Sequence, residues 1–314
     1  MNKPCLKTSL AALGFMILLG AAPAHAAIDW AKVPGKDVAM FYPGQSPWEW
    51  VLTPSDHEGA AKFRAGKDCF QCHNGDEKTM GDILVSGKRN GAAVPGKPGS
   101  IVAQVKFAHD AQNLYVRLVF AEGRQPDAGM DKAYATKVTM MLDDGSVPEA
   151  TRAGCWGMCH DDNTMMPAAN GADRTMYLPR THAHLTAHGG GDELKPADDL
   201  AKLKAGGYWL EYWQARLNAG KPAVAVNGEI FAKREETHPT AVSAQASYAG
   251  GKWTVTFTRK LDAGAGFKAI VPGKTYTIGF AIHSGHTAKR FHYVSFERTL
   301  VLDSGNADFV AAKE

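Results

Sequence analysis

Four cysteines of this chain fall in two pairs, and each pair is followed at once by a histidine: Cys69-Phe70-Gln71-Cys72-His73 and Cys155-Trp156-Gly157-Met158-Cys159-His160. No other feature restricts the fold as much, because C-x-x-C-H is the attachment signature of haem c, and a fold that carries it must make room for a porphyrin. Two thiols at this separation can each add across one vinyl group of the same porphyrin, while the next residue presents its imidazole to the iron. The second group has three residues between its thiols, and Gly157 supplies the backbone freedom for that loop to bulge. Two covalently bound haem c groups are therefore expected, attached at Cys69, Cys72, Cys155 and Cys159, with His73 and His160 on the irons. Four cysteines in an exported chain would ordinarily form two disulfides, but the histidines argue otherwise. Structural zinc would need ligands from both groups to converge, whereas the groups lie more than eighty residues apart and each has its own histidine.

The first residues decide the compartment. Lys3 and Lys7 make a basic start, residues 9–22 are apolar, and Ala24-His25-Ala26 offers small residues at both cleavage-recognition positions. That is the pattern of a secretory signal peptide over residues 1–26. A membrane span needs about 20 apolar residues, and this run is shorter and ends in Pro23. The mature chain from Ala27 is expected to be periplasmic, with no membrane span. Ordinary globular usage, 45% hydrophobic and 21% charged, argues against disorder throughout. No basic cluster points to nucleic acid.

The coarse layout says what surrounds each iron. Residues 27–54 are rich in Trp, Pro and Gly without a clear period and read as an extended arm. Ser55-Asp56-His57-Glu58 matches a capping box and predicts a helix over 55–67 that leads into the first haem motif. From residue 101 the period changes to two: Ile101, Ala103, Val105 and Phe107, a turn at 110–112, then Leu114, Val116, Leu118 and Phe120. That alternation predicts a β-hairpin. Further strands are expected at 137–142, 253–258, 276–283 and 292–301, and helices at 198–203 and 209–217. The fold class is mainly β, an antiparallel β-sandwich with long haem-binding loops and a small helical N-terminal haem-c segment. Three parts are expected: residues 1–26, an arm and haem-c segment over 27–99, and the sandwich with the second haem over 100–314. Residues 143–196 form a stretch with little periodicity, and so long a loop is unusual unless functional. It holds the second motif, and the porphyrin is expected to order it.

The run Val105-Lys106-Phe107-Ala108-His109-Asp110-Ala111-Gln112-Asn113-Leu114-Tyr115-Val116-Arg117, with the closing His292-Tyr293-Val294-Ser295-Phe296, resembles the haem-binding domain of the ethylbenzene dehydrogenase gamma subunit. The likeness covers roughly residues 100–303. It implies an immunoglobulin-like sandwich that binds haem among loops at one end and serves electron transfer, as a subunit of molybdenum enzymes or within multihaem c-type cytochromes. In that family a lysine just before the Val-Ser of the last strand is an axial haem ligand, and His292 stands in its place here. The chain departs from the pattern by adding Cys155, Cys159 and His160, which leaves the family's methionine ligand open here. Residues 55–73 also resemble the N-terminal haem-c extension of multihaem relatives, in which a histidine precedes the C-x-x-C-H. His57 occupies that position, so the expected axial pairs are His57/His73 and His160/His292.

Met165, Met166 and His184 are the substitutes for His292. His109 and His238 read as surface or hydrogen-bonded residues, and His283 and His286 flank a turn near His292 where they could sit over a haem edge. Lys289-Arg290 would neutralise propionates if His292 binds iron. Three function classes fit: an electron carrier with both irons six-coordinate, a redox enzyme with one open iron position, and a haem sensor or electron-entry subunit. The carrier is favoured, because each haem has a distal histidine in sequence. Its partners would be a redox donor and acceptor, such as a molybdenum enzyme or a quinol-linked membrane cytochrome.

Overall fold

The computed structural model describes residues 28–43, 51–52, 57–88, 93–160, 176–183, 185–186, 189–190 and 193–314. The N-terminal part contributes strand β1 (Gly35–Phe41) and three short helices, α1 (Ala60–Arg64), α2 (Cys69–His73) and α3 (Glu77–Val85). Next come β2 (Ser100–His109), β3 (Asn113–Ala121), β4 (Thr136–Asp143) and α4 (Pro148–Ala153), then the two-residue strands β5 (Cys159–His160), β6 (Met176–Tyr177), β7 (Leu185–Thr186) and β8 (Gly189–Gly190). After α5 (Ala197–Ala205) the chain is all β: β9 (Leu210–Leu217), β10 (Val224–Ile230), β11 (Arg234–Glu236), β12 (Val242–Ala249), β13 (Lys252–Lys260) and β14 (Tyr276–Ser284). It closes with β15 (Tyr293–Val294), β16 (Arg298–Leu302) and β17 (Phe309–Lys313).

The hairpin forms where the alternation places it. Strands β2 and β3 pair from Ala103↔Phe120 to His109↔Leu114, and Asp110 Oδ1 closes the turn by accepting the backbone N–H groups of Gln112 and Asn113, both at 2.7 Å. Such an Asx turn mimics a backbone turn with a side chain. The arm predicted over 27–54 is corrected in part: β1 pairs with β2 from Gly35↔Lys106 to Phe41↔Ser100.

One hydrogen-bonded path runs β11-β10-β9-β4-β14-β15-β1-β2-β3-β13-β12, and β16 and β17 link β14 back to β2. The path folds into two layers, and Trp213 meets Phe257 and Phe107 meets Phe280 across the core, each at 6.4 Å between ring centroids. Period two then sorts each strand's side chains. On β9, Trp213, Ala215 and Leu217 enter the sandwich core, while Leu210 and Tyr212 join a second buried cluster with Met141, Cys155, Met158 and Ala281. The expected helix over 209–217 is thus a strand. Both its faces are covered, so its apolar residues do not alternate with polar ones, and Trp209, Tyr212 and Trp213 imitate helical spacing.

Two more boundaries move. The helix expected from residue 55 begins at Ala60, with Gly59 at its N-cap and no side-chain cap bond, so His57 precedes it. Ser55 and Asp56 lie outside the described residues. The strand expected over 292–301 is broken: His292 stands just before β15, and only Tyr293–Val294 and Arg298–Leu302 are strand. Between them Ser295 extends the ladder, exchanging hydrogen bonds with Phe280 at 2.9 Å through its backbone N–H and its Oγ. Among the described residues the strand pairing is antiparallel except at β16 with β17 and β17 with β2.

Candidate functional site

Helix α2 is the first motif itself. Asp68 caps it, its Oδ1 accepting the Gln71 N–H at 2.6 Å, so Cys69, Cys72 and His73 lie on one helical turn and a half. Cys69 is half-buried and Cys72 exposed. Burial foremost, and the nearby carboxyls of Glu297 and Asp68 once ionised, push the Cys69 thiol far above its ordinary range. The His57 and His73 rings stand 6.1 Å apart, centroid to centroid, with 36° between their planes. Two imidazoles bound to opposite faces of one metal, at bonds of about 2 Å, place their centroids about 6 Å apart. His57 Nδ1 lies 3.0 Å from the Val51 carbonyl. A carbonyl only accepts, so Nδ1 carries the proton and Nε2 the lone pair, and His73 Nδ1 faces Asp76 Oδ2 at 3.5 Å. Such partners orient metal-bound histidines.

The sheet fastens this motif. Phe70 N–H donates to Glu297 Oε1 at 2.8 Å, the Arg298 guanidinium lies 3.6 Å over the Phe70 ring, and Phe296 stacks on His73 with ring centroids 6.1 Å apart. Burial raises the Glu297 carboxyl to about 9, so it is neutral at pH 7.

The second motif follows α4 as a tight turn over Gly154–Gly157 that leads into β5, whose Cys159 and His160 pair with Tyr177 and Met176. Gly154 has φ +59°, and a Cβ there would stand 2.6 Å from Glu297 N. Gly279 on β14 lets the turn sit on the sheet, because its Cβ would meet Cys155 N at 2.9 Å. The expected role of Gly157 changes: its φ is not positive, and what its missing Cβ permits is close approach, 2.6 Å from that position to the Glu149 carbonyl. Cys155 is buried, and burial pushes its thiol up to about 12. Cys159 is buried beside Tyr177. The side chain of His160, and Met165, Met166 and His184 altogether, lie outside the described residues.

Cys155 and His292 line one cavity of about 410 Å³, within the ordinary range for cofactor pockets. Alternate residues of three strands form its floor: Thr139 and Met141 from β4, Tyr212, Gln214 and Arg216 from β9, and Ala281 and His283 from β14. Cys155, Met158 and Met176 come from the loop side and Lys289 and His292 from the segment after β14. His283 and His292 stack at 4.5 Å, planes 27° apart, too close to hold one metal between them. His283 Nε2 and His292 Nδ1 both point at the Lys289 carbonyl at 2.9 Å, which Lys289 presents from a left-handed φ of 54°. Burial pushes both imidazoles down, His292 to about 4, so at neutral pH each is uncharged and carries a lone pair. Sequence reasoning missed the floor, whose only signal is the i, i+2 spacing on strands not yet known to be neighbours. His109 is engaged at both ring nitrogens, by Asp110 O at 3.0 Å and Asp303 at 2.9 Å.

A porphyrin fits this cavity by one test the structure itself supplies. Arg234 Nη2, a buried donor on the wall, has no hydrogen-bond partner; a native protein rarely leaves such an atom unmatched without a ligand or water, and the carboxylates of a haem are acceptors that suit it.

Thiol pairs followed directly by histidine, one pair beside a cofactor-sized cavity, are the mark of c-type cytochromes. Over 98% of this chain and 99% of its own, cytochrome c-552 from Stutzerimonas stutzeri is 35% identical. Cytochrome c-551 from Rhodocyclus tenuis is 30% identical over 91% of this chain and 99% of its own. The chain belongs to this cytochrome c family, electron carriers with covalently bound haem rather than enzymes. The family model described as ethylbenzene dehydrogenase matches residues 222–295, the part that forms β10 to β15. A carbohydrate binding module of family 9 from Caldicellulosiruptor kristjanssonii covers 63% of this chain and 65% of its own at 9% identity and TM-score 0.30.

Proposed function

We propose that the chain is an exported dihaem c-type cytochrome, with one haem c on Cys69 and Cys72 and the other on Cys155 and Cys159. His57 with His73 and His160 with His292 would ligate the irons, which each carry one electron by cycling between Fe(III) and Fe(II). The observation that carries this reading is the 6.1 Å spacing of His57 and His73, with carbonyl partners that leave the proton on Nδ1 of both His57 and His292. The leader-like residues 1–26 support export, and among the described residues no helix is long and apolar enough to cross a membrane. The segment 27–99 would carry the first haem and 100–314 the second. A redox donor and acceptor, of the kind of a molybdenum enzyme or a quinol-linked membrane cytochrome, would be the partners.

Mass spectrometry of the denatured mature protein should give the polypeptide from Ala27 plus two haems. A single haem would remove the Cys155/Cys159 attachment, and a zinc protein would end the reading. His57→Ala is expected to turn one of two low-spin haems high-spin in the visible spectrum, and an unchanged spectrum would reject His57 as a ligand.

A further inference from the structure

We propose that Arg234, with Arg216 and Lys137, receives the carboxylates of the second haem and so fixes which way the porphyrin lies in the cavity. The inference rests on the dihaem reading above and goes beyond it by naming residues that no haem motif contains. Arg234, Arg216 and Lys137 all line the cavity that holds Cys155 and His292. The three are not equally matched by anions. Lys137 Nζ holds Asp131 at 2.5 Å and the Thr287 carbonyl at 2.9 Å. Arg216 bonds to Glu236 and, through Nε, to Gln214 at 3.1 Å. Arg234 comes no nearer than 3.8 Å to the same Glu236, and its Nη2 is buried without a hydrogen bond.

A guanidinium stays charged at every accessible pH, so it cannot relieve this mismatch by losing a proton. Its planar fork suits a carboxylate, and its seat 4.4 Å over the Tyr212 ring holds it on the cavity floor. Among the described residues, Glu236 is thus the one carboxylate within 4 Å of either arginine, and it serves both. The wall carries more positive than negative charge, and the two carboxylates of a haem would offset that imbalance. With Cys155 and His292 fixing the porphyrin in the same cavity, its acidic edge belongs on the side of Arg234.

The test compares wild type, Arg234→Gln and Arg234→Lys as purified holoproteins in a spectroelectrochemical titration that resolves the two haems, after mass spectrometry of each. The expected result is two haems in all three, and in Arg234→Gln a lower midpoint potential for the second haem with the first unmoved. The reduction equilibrium should shift about tenfold, the scale of one unit charge about 10 Å away at an effective dielectric of about 20, and Arg234→Lys should recover most of it. Two haems with no shift in Arg234→Gln, or an equal shift in both, would overturn the inference and leave the dihaem reading standing. A wild-type potential that moves with added inorganic phosphate at constant ionic strength would assign the wall to a dissociable anion and overturn it likewise. A single haem in the wild type would remove the dihaem reading and this inference together.

Discussion

Reduced His292→Ala protein is expected to bind carbon monoxide at one haem, while reduced wild type under the same gas keeps both low-spin spectra. The proposed ligand is held on two sides: the Lys289 carbonyl fixes its Nδ1 at 2.9 Å, and His283 stacks on its ring at 4.5 Å. Burial keeps it neutral to about pH 4, so protonation does not remove it from iron in the neutral range. An incoming diatomic would have to displace a restrained, uncharged imidazole. Truncation to alanine leaves an open sixth position, which a small ligand fills. Rapid carbon monoxide binding by the wild type would reject His292 as a ligand and favour a second iron that is five-coordinate or closed by a weaker ligand.

The largest effect on stability is expected from Arg259→Leu. Arg259 and Glu211 are 0% and 1% exposed and join the two layers of the sandwich. Arg259 Nε and Nη2 meet the two Glu211 oxygens at 3.0 and 2.8 Å, and Glu211 also accepts from Trp213 Nε1 at 2.7 Å and Lys268 N at 2.8 Å. Every polar atom of the carboxylate is therefore used in the interior. Removing the arginine strands a buried negative charge, which costs about 3–5 kcal/mol, and in a domain of this size that lowers Tm by roughly 6–20 °C. The double replacement Arg259→Leu/Glu211→Leu should lose less than the single one, because no charge is left behind. Thermal unfolding followed by circular dichroism tests this, and a drop under about 2 °C would mean the site is hydrated or relaxes freely.

The parts of the molecule that local chemistry dictates were legible in the sequence. The β2–β3 hairpin is written in a single alternation and one Asx turn, and the first haem motif with His57 lies within seventeen consecutive residues. What escaped depends on neighbours remote in sequence. Strand β9 looks helical because loop residues bury the face that would otherwise be polar, and β1 shows its nature only when paired with β2. The wall around Cys155 draws on β4, β9 and β14, so nothing in one segment announces that Gln214, Arg216, Arg234 and His283 share it. His283 and His292 were both visible as histidines near a turn, but their stacking on one carbonyl depends on the left-handed backbone at Lys289, a position where a non-glycine residue gives no warning.

Residues 296 and 297 touch both motifs: Phe296 stacks on His73, Glu297 accepts from Phe70, and Gly154 comes so close to their peptide that a side chain there would collide with it. The two prosthetic groups would consequently hang from a partition one peptide thick. Displacing that shared peptide is therefore expected to be read out at both irons together.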